Sequence, residues 1–265
     1  MLFRSFVAPA DPGADIGLVF MDGGGAVEMC VHGTMGAVTA LVETGRLPLG
    51  RGGVVMVDTP AGTVRVRARR QGGRVIAVEL EGVPSRSIAR DLAARVRGRA
   101  VRYDLAYGGN LIALAAASAL AVKVEARAFR ELVAAGMDLK TQAEAAWRRA
   151  RGRLGPWPEV VSALIYTRLG KARYRDLVVF RHNSVDRSPC GSCVSAFMAG
   201  LVAKRRLRVG EWVECENLLG LAFRARLLER AGELIPHLEG AAYITGEHRF
   251  HIDPRDPLRH GFQLS

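Results

Sequence analysis

Lysine is nearly absent from this 265-residue chain: Lys123, Lys140, Lys171 and Lys204 are the only ones. The formal net charge of +12 is therefore carried almost entirely by arginine. A charge of that size invites a nucleic-acid reading. The arginines, however, are dispersed, and aromatic residues make up only 6% of the chain, so no basic helix with interleaved aromatics forms. Helix-turn-helix, zinc-finger and RNA-binding patterns are missing too. The charge reads as a compositional bias, and no nucleic-acid partner is expected.

Long apolar runs are also lacking. The longest, Leu111 to Val122, falls well short of the roughly 20 residues a spanning helix needs, so no membrane partner is expected. Met1 to Pro12 has no charged region followed by a long apolar stretch, so no secretory signal is visible and a cytoplasmic location follows by default. Cysteine is scarce. Without an export signal, Cys30, Cys190, Cys193 and Cys215 do not read as a disulfide framework. Cys215, between Glu214 and Glu216, reads as a strand residue. The others are candidates for chemistry.

What is present is organised around residues 185 to 200. A polar turn, Asp186-Arg187-Ser188-Pro189, runs into Cys190 and then into an apolar helical run. Val194, Phe197, Met198, Leu201 and Val202 recur at helical spacing, and Lys204, Arg205 and Arg206 close the run as a helix C-terminus favours. The pattern places Cys190 at or near a helix N-terminus. Unpaired N–H groups and the positive end of the helix dipole favour a thiolate and bind a carboxylate there. The layout occurs once more upstream. Cys30 precedes a run in which Met35, Val38, Leu41 and Val42 share one face, and Gly45 reads as its stop. Each half of the chain thus has one thiol opening a buried helix.

The rest reads as strands. Ser5 to Met21 holds two. Gly53 to Ala68 reads as a hairpin turning at Thr59 to Gly62, because Val64, Val66 and Ala68 alternate with Arg65 and Arg67. Arg74 to Leu80, Arg99 to Ala106, Ala163 to Tyr166 and Leu177 to Phe180 follow as strands, and 129 to 153 has helical composition. Glu211 to Glu216, Leu221 to Leu227, Ala241 to Thr245 and Arg249 to Ile252 are expected to finish the sheet. The class is α+β: two similar domains, each a mostly antiparallel sheet around a central helix, with the site in the cleft between them. Residues 1–88 with 250–265 would form the domain carrying Cys30, and 89–249 the domain carrying Cys190.

Met29-Cys30-Val31-His32-Gly33-Thr34 resembles the Met-Cys-Gly-His motif of the proline racemase family, which includes 4-hydroxyproline epimerases. Asp186 to Ala196 resembles its second motif, Asp-Arg-Ser-Pro-Cys-Gly-Thr-Gly-Thr-Ser-Ala. Phe20-Met21-Asp22, Val42-Glu43-Thr44-Gly45, Thr59-Pro60-Ala61-Gly62, Tyr107-Gly108-Gly109-Asn110 and Ile252-Asp253-Pro254 to Phe262 match in the family's order. The resemblance implies a diaminopimelate-epimerase-like fold and a racemase or epimerase, an isomerase acting on 4-hydroxyproline or proline without pyridoxal phosphate or any other cofactor. Cys30 and Cys190 would be the catalytic bases on opposite faces of the substrate Cα. His32 and Asp186 would contact the substrate nitrogen, and the N–H groups of Val31, His32, Gly191 and Ser192 would hold its carboxylate. The partner implied is a small imino acid, and a homodimer is left open.

The chain departs from the family pattern in three ways. Val31 replaces the glycine after the first cysteine. Cys193 and Val194 replace a glycine and a threonine in the second motif. Family members usually carry a further N-terminal segment, which the resemblance implies is lacking here. A degenerate protein that binds an imino acid without turning it over is the alternative. Cys190-Gly191-Ser192-Cys193 also allows a thiol–disulfide reading, although no thioredoxin-like pattern precedes it. A zinc reading would use Cys30, His32, Cys190 and Cys193. The deaminase signature needs His-x-Glu upstream, and His237-Leu238-Glu239 lies downstream.

Overall fold

A computed structural model describes residues 4–8, 12–22, 25–50, 52–157, 159–249 and 251–261. The first half contains β1 (Arg4–Ala8), β2 (Ile16–Asp22), β3 (Gly25–Val27), α1 (Val31–Glu43), β4 (Val54–Asp58), β5 (Val64–Gln71) and β6 (Arg74–Glu81). Then come β7 (Arg86–Val96), β8 (Arg99–Tyr107), β9 (Leu111–Ala116), α2 (Phe129–Leu154), β10 (Val160–Arg168) and β11 (Arg173–Val179). The chain continues through α3 (Gly191–Ala203), β12 (Val213–Glu216), β13 (Ala222–Arg230) and β14 (Glu233–Gly240). One sheet runs in the order β1-β2-β4-β5-β6-β14-β13-β12-β11-β10-β9-β8-β7, with β3 beside β2, and wraps around α1 and α3. This is the α+β architecture expected, a mostly antiparallel sheet around two central helices. The β6–β14 pairing joins the strand ladder on the α1 side to the one on the α3 side.

Local rules account for the elements that frame the site. The β4–β5 hairpin turns at Thr59 to Gly62, where the Thr59 hydroxyl donates to Gly62 O at 2.6 Å. Met35, Val38 and Val42 bury one face of α1 against β5 and β6, and Gly45, at φ +71°, ends the helix. In α3 every residue from Gly191 to Leu201 is buried, so this helix is apolar all round and lies inside the wrap. Strand β9 is a continuous apolar run because both its faces are covered. Ile112 and Leu114 join the core around α3, while Leu111, Ala113 and Ala115 join the core under α2. The longest apolar run of the sequence is therefore a doubly covered strand with its following turn. No helix among the described residues is long and apolar enough to cross a membrane.

The end of the chain corrects the sequence reading. Ala241 to Thr245 is not a strand, and neither is Arg249 to Ile252, of which Phe250 lies outside the described residues. Among the described residues the sheet ends at Gly240, and most of those beyond it are exposed and outside the sheet. Short apolar runs occur in irregular chain too, and only a neighbouring strand makes them β structure. Strands β7 and β14 escape the sequence reading. In β7 the pairing with β8 slips twice, between Ser87 and Ala89 and between Ala89 and Leu92, and Asp91 sits at φ +55°. Those irregularities scramble a period-two pattern. Strand β14 is masked by Pro236 and by charged residues along its length.

Candidate active site

The two cysteines that open helices are both N-cap residues. Cys30 caps α1 with extended backbone, and its sulfur accepts the Gly33 N–H at 3.2 Å. Cys190 caps α3, also from extended backbone. Both side chains line a single cavity of about 670 Å³, and Val31, His32, Asp186, Gly191 and Ser192 line it with them. The seven residues singled out in the two motifs, which lie more than 150 residues apart in the chain, are thus brought to one place.

Close packing of backbone makes this convergence possible. A Cβ on Gly191 would stand 2.4 Å from Val31 Cβ, so the first turns of α1 and α3 meet there. Gly108 is wedged as tightly: a Cβ on it would lie 2.4 Å from both Ala196 N and Ser192 O, near the start of α3. Two residues further on, the Asn110 amide donates to Met29 O at 2.7 Å, just ahead of Cys30. The Tyr107 to Asn110 turn therefore pins both helix starts. The first-turn N–H groups of each helix have no intrahelical acceptor and carry the positive end of the helix dipole. Val31, His32, Gly191 and Ser192, the first residues of the two helices, line the cavity.

Burial dominates the electrostatics. It pushes the Cys30 thiol well above its ordinary range, against the opposing Gly33 N–H. Burial also raises the Asp186 carboxyl to about 6, and a hydrogen bond from Cys190 acts the other way. His32 is lowered, again chiefly by burial, so its ring is neutral at neutral pH. Its Nδ1 is 2.6 Å from the Ser188 hydroxyl and its Nε2 is 3.3 Å from Ala241 O. Nδ1 is also 3.4 Å from Pro189 O; a neutral ring that keeps the two shorter contacts has Nε2–H donating to Ala241 O and Ser188 O–H donating to Nδ1. His32 thus ties the start of α1 to the second motif and to the segment after β14.

Cys193 lies behind Cys190. It is fully buried and its sulfur is 3.3 Å from the Ser162 hydroxyl on β10. Cys215 is a buried strand residue on β12. Among the described residues, no three His, Cys, Asp or Glu side chains gather as metal ligands. Three features of the site leave no sign in the sequence: the Ser188–His32 bond, the Asn110–Met29 bond, and the contribution of Ala241 to Tyr243 to the cavity wall. Each depends on contacts distant in sequence.

The proline racemase family model matches residues 2–263. Over 265 aligned residues the chain is 36% identical to a proline racemase of Clostridioides difficile, an alignment that covers 97% of this chain and 79% of that protein. A 4-hydroxyproline 2-epimerase of Ancylobacter novellus is 33% identical, covering 96% of this chain and 79% of its own length. A crystal structure of a hydroxyproline epimerase from Agrobacterium vitis, with bound trans-4-OH-L-proline, superimposes with a TM-score of 0.89 at 29% identity. That superposition covers 99% of this chain and 78% of the other. Two cysteine-capped helices meeting at one cavity, in a chain matched almost end to end, belong together: this protein is a member of the proline racemase family of amino-acid isomerases.

Proposed function

We propose that the chain inverts Cα of 4-hydroxyproline or proline without a cofactor, with Cys30 and Cys190 as the two bases. The observation that carries this reading is the pair of cysteine N-caps on one cavity. Inversion needs a base on one face of the carbon and an acid on the other. One sulfur, as thiolate, takes the Cα proton; the other, as thiol, delivers its proton to the opposite face. After one turnover the roles are exchanged. Burial keeps Cys30 protonated, which suits the donor in one direction.

Loss of the Cα proton puts further negative charge on the substrate carboxylate. The N–H groups of Val31, His32, Gly191 and Ser192 are assigned to hold that carboxylate where the charge grows. Asp186 is assigned to the substrate nitrogen, because an arriving cation lowers a carboxyl that burial has raised. His32 shares that wall. A direct bond from its Nδ1 to the nitrogen requires the Ser188 hydroxyl to turn away. The names of the relatives, and the hydroxyproline bound in the Agrobacterium vitis structure, supply the substrate class.

The test is loss of the Cα proton into deuterated water, followed by NMR, for L-proline and for trans-4-hydroxy-L-proline. Exchange accompanied by inversion of at least one is expected. Calorimetric binding of either compound with no exchange of both would make the chain a binding protein and overturn the proposal.

A further inference from the structure

His32 is assigned to the substrate nitrogen, yet what its ring can offer depends on a residue to which the reaction above gives no task. Among the described residues, three oxygens lie within hydrogen-bond distance of the ring nitrogens. Ser188 Oγ is 2.6 Å and Pro189 O 3.4 Å from Nδ1, and Ala241 O is 3.3 Å from Nε2. Two of the three are backbone carbonyls, which only accept. With those carbonyls alone around it, the ring would satisfy both nitrogens only as the imidazolium, Nδ1–H to Pro189 O and Nε2–H to Ala241 O. A neutral ring has one N–H for two carbonyls and would turn a bare lone pair toward the other. The Ser188 hydroxyl is the one group of the three that can donate, and it is the nearest.

We infer that Ser188 is a positioning residue for His32: its hydroxyl donates to Nδ1 and holds the ring neutral, in the tautomer whose lone pair can take a hydrogen of the substrate nitrogen. This deepens the reaction proposed above and rests on it, since it supposes an imino acid whose nitrogen approaches His32. Ser188 and His32 line the same cavity. When the nitrogen arrives, Nε2–H stays on Ala241 O, and the Nδ1 lone pair passes from the Ser188 hydroxyl to a substrate N–H. No proton has to move on the ring. The other tautomer, or the imidazolium, would turn an N–H toward an ammonium that has only N–H to give, and the imidazolium would add repulsion between like charges. Burial of the ring favours the neutral form as well, the Ala241 and Pro189 carbonyls act against it, and the Arg187 charge adds to the effect of burial. The ring also packs on buried Phe223, with centroids 4.9 Å apart.

The titratable and charged groups that share the cavity with His32 are Cys30 on α1, Asp186, Arg187 and Cys190 around the turn before α3, and Tyr243 after β14, while β13 presents Phe223. All are the same in parent and variants, so their own titrations cancel in the comparison. Side-chain NMR reads the ring directly. The resonance that disappears in His32→Gln identifies His32 among the six histidines. Its ring 15N shifts give the tautomer, and its pH titration gives the midpoint. The unchanged protein is expected to show the Nε2–H tautomer. In Ser188→Ala the midpoint should rise by roughly one pH unit. Ser188→Thr, which keeps the hydroxyl, should return it to the parent value. Turnover should follow: below the raised midpoint, the KM of Ser188→Ala for an imino acid should climb roughly tenfold per pH unit relative to the parent, as the competent ring grows scarce, with kcat little changed. A hydroxyl that only fills space would leave the midpoint where it was. An unshifted Ser188→Ala protein, or an Nδ1–H tautomer in the parent, overturns the inference. Should Ser188→Ala fail to fold, Ser188→Cys, a much weaker donor, decides in its place, and an unshifted midpoint there overturns it equally. The titration is read whether or not any proline derivative exchanges. A wrong substrate assignment therefore shows as silent exchange with the shift intact, and a wrong role for Ser188 as exchange without the shift.

Discussion

Val31 fills the space that a side chain on Gly191 would need: a Cβ there would stand 2.4 Å from Val31 Cβ and 2.5 Å from Val31 Cγ1. The first residue of one helix thus packs on the bare backbone of the first residue of the other. The family pattern has glycine at both positions, and here one of the two has gained a β-branched side chain while the other has none. Contact at this point holds two dipole ends and two thiols at one cavity.

Gly191→Ala is therefore expected to force the helix starts apart. Overpacking of this kind costs about 1–3 kcal/mol. Thermal unfolding should register the loss, and exchange of the Cα proton should fall with it. Adding Val31→Ala to Gly191→Ala should recover most of both. A Gly191→Ala protein as stable and as active as the parent would contradict the packing described.

Replacing either catalytic candidate by serine should remove one of the two proton-transfer groups. Loss of a positioned acid or base typically lowers the rate by about 10²–10⁴-fold. Cys30→Ser and Cys190→Ser should each show a loss of that order in inversion, while calorimetry still detects the imino acid. Normal inversion in either variant would rule out two bases.

Asp176 gives the protein a pH-dependent weakness. Its carboxyl is almost fully buried, one oxygen lacks a hydrogen-bond partner, and burial, aided by the charge of Asp186, raises it to about 7. The unfolded chain ionises this group near the ordinary value of 3.8. A raised folded value means its contribution is fully present below that pH and is lost as pH climbs through about 7. Asp176→Asn lacks the titration. Its stability advantage over the parent should grow between pH 4 and pH 7 and level off above, by on the order of 2–4 kcal/mol. Urea unfolding at several pH values measures it, and a constant difference would refute the assignment.

Mild hydrogen peroxide should join Cys190 to Cys193. Two thiols and one peroxide give one disulfide and two waters, with the cavity-lining Cys190 oxidised first and Cys193 attacking it. Cys190 is the N-cap of α3 and Cys193 stands three residues on in its first turn, which sets up that step. Peptide mapping should find the bridge, thiol reductant should restore the exchange, and Cys193→Ala should prevent the bridge from forming. Full activity after oxidant would count against it.

Much of the site is legible from local pattern. A thiol followed at once by residues at helical spacing marks an N-cap, and Cys30 and Cys190 are N-caps. The Gly53 to Ala68 hairpin and the stop at Gly45 follow from alternation and from a glycine at positive φ. Elements whose pattern is broken are not legible. Strand β7 hides behind two slips in register, and Ala241 to Thr245 has strand-like residues without a neighbouring strand to pair with. The Ser188–His32 bond joins residues 156 positions apart, and Ser162–Cys193 joins residues 31 apart, so neither leaves a local trace.

Which residues stand at the helix starts is written into the chain itself, because capping and periodicity are properties of a few consecutive residues. That the two starts share one cavity, and that Cys193 turns inward to Ser162 rather than toward that cavity, was settled by long-range packing. Both outcomes depend on how closely backbones approach at Gly108 and Gly191, and such contacts form only when the sheet brings distant segments together.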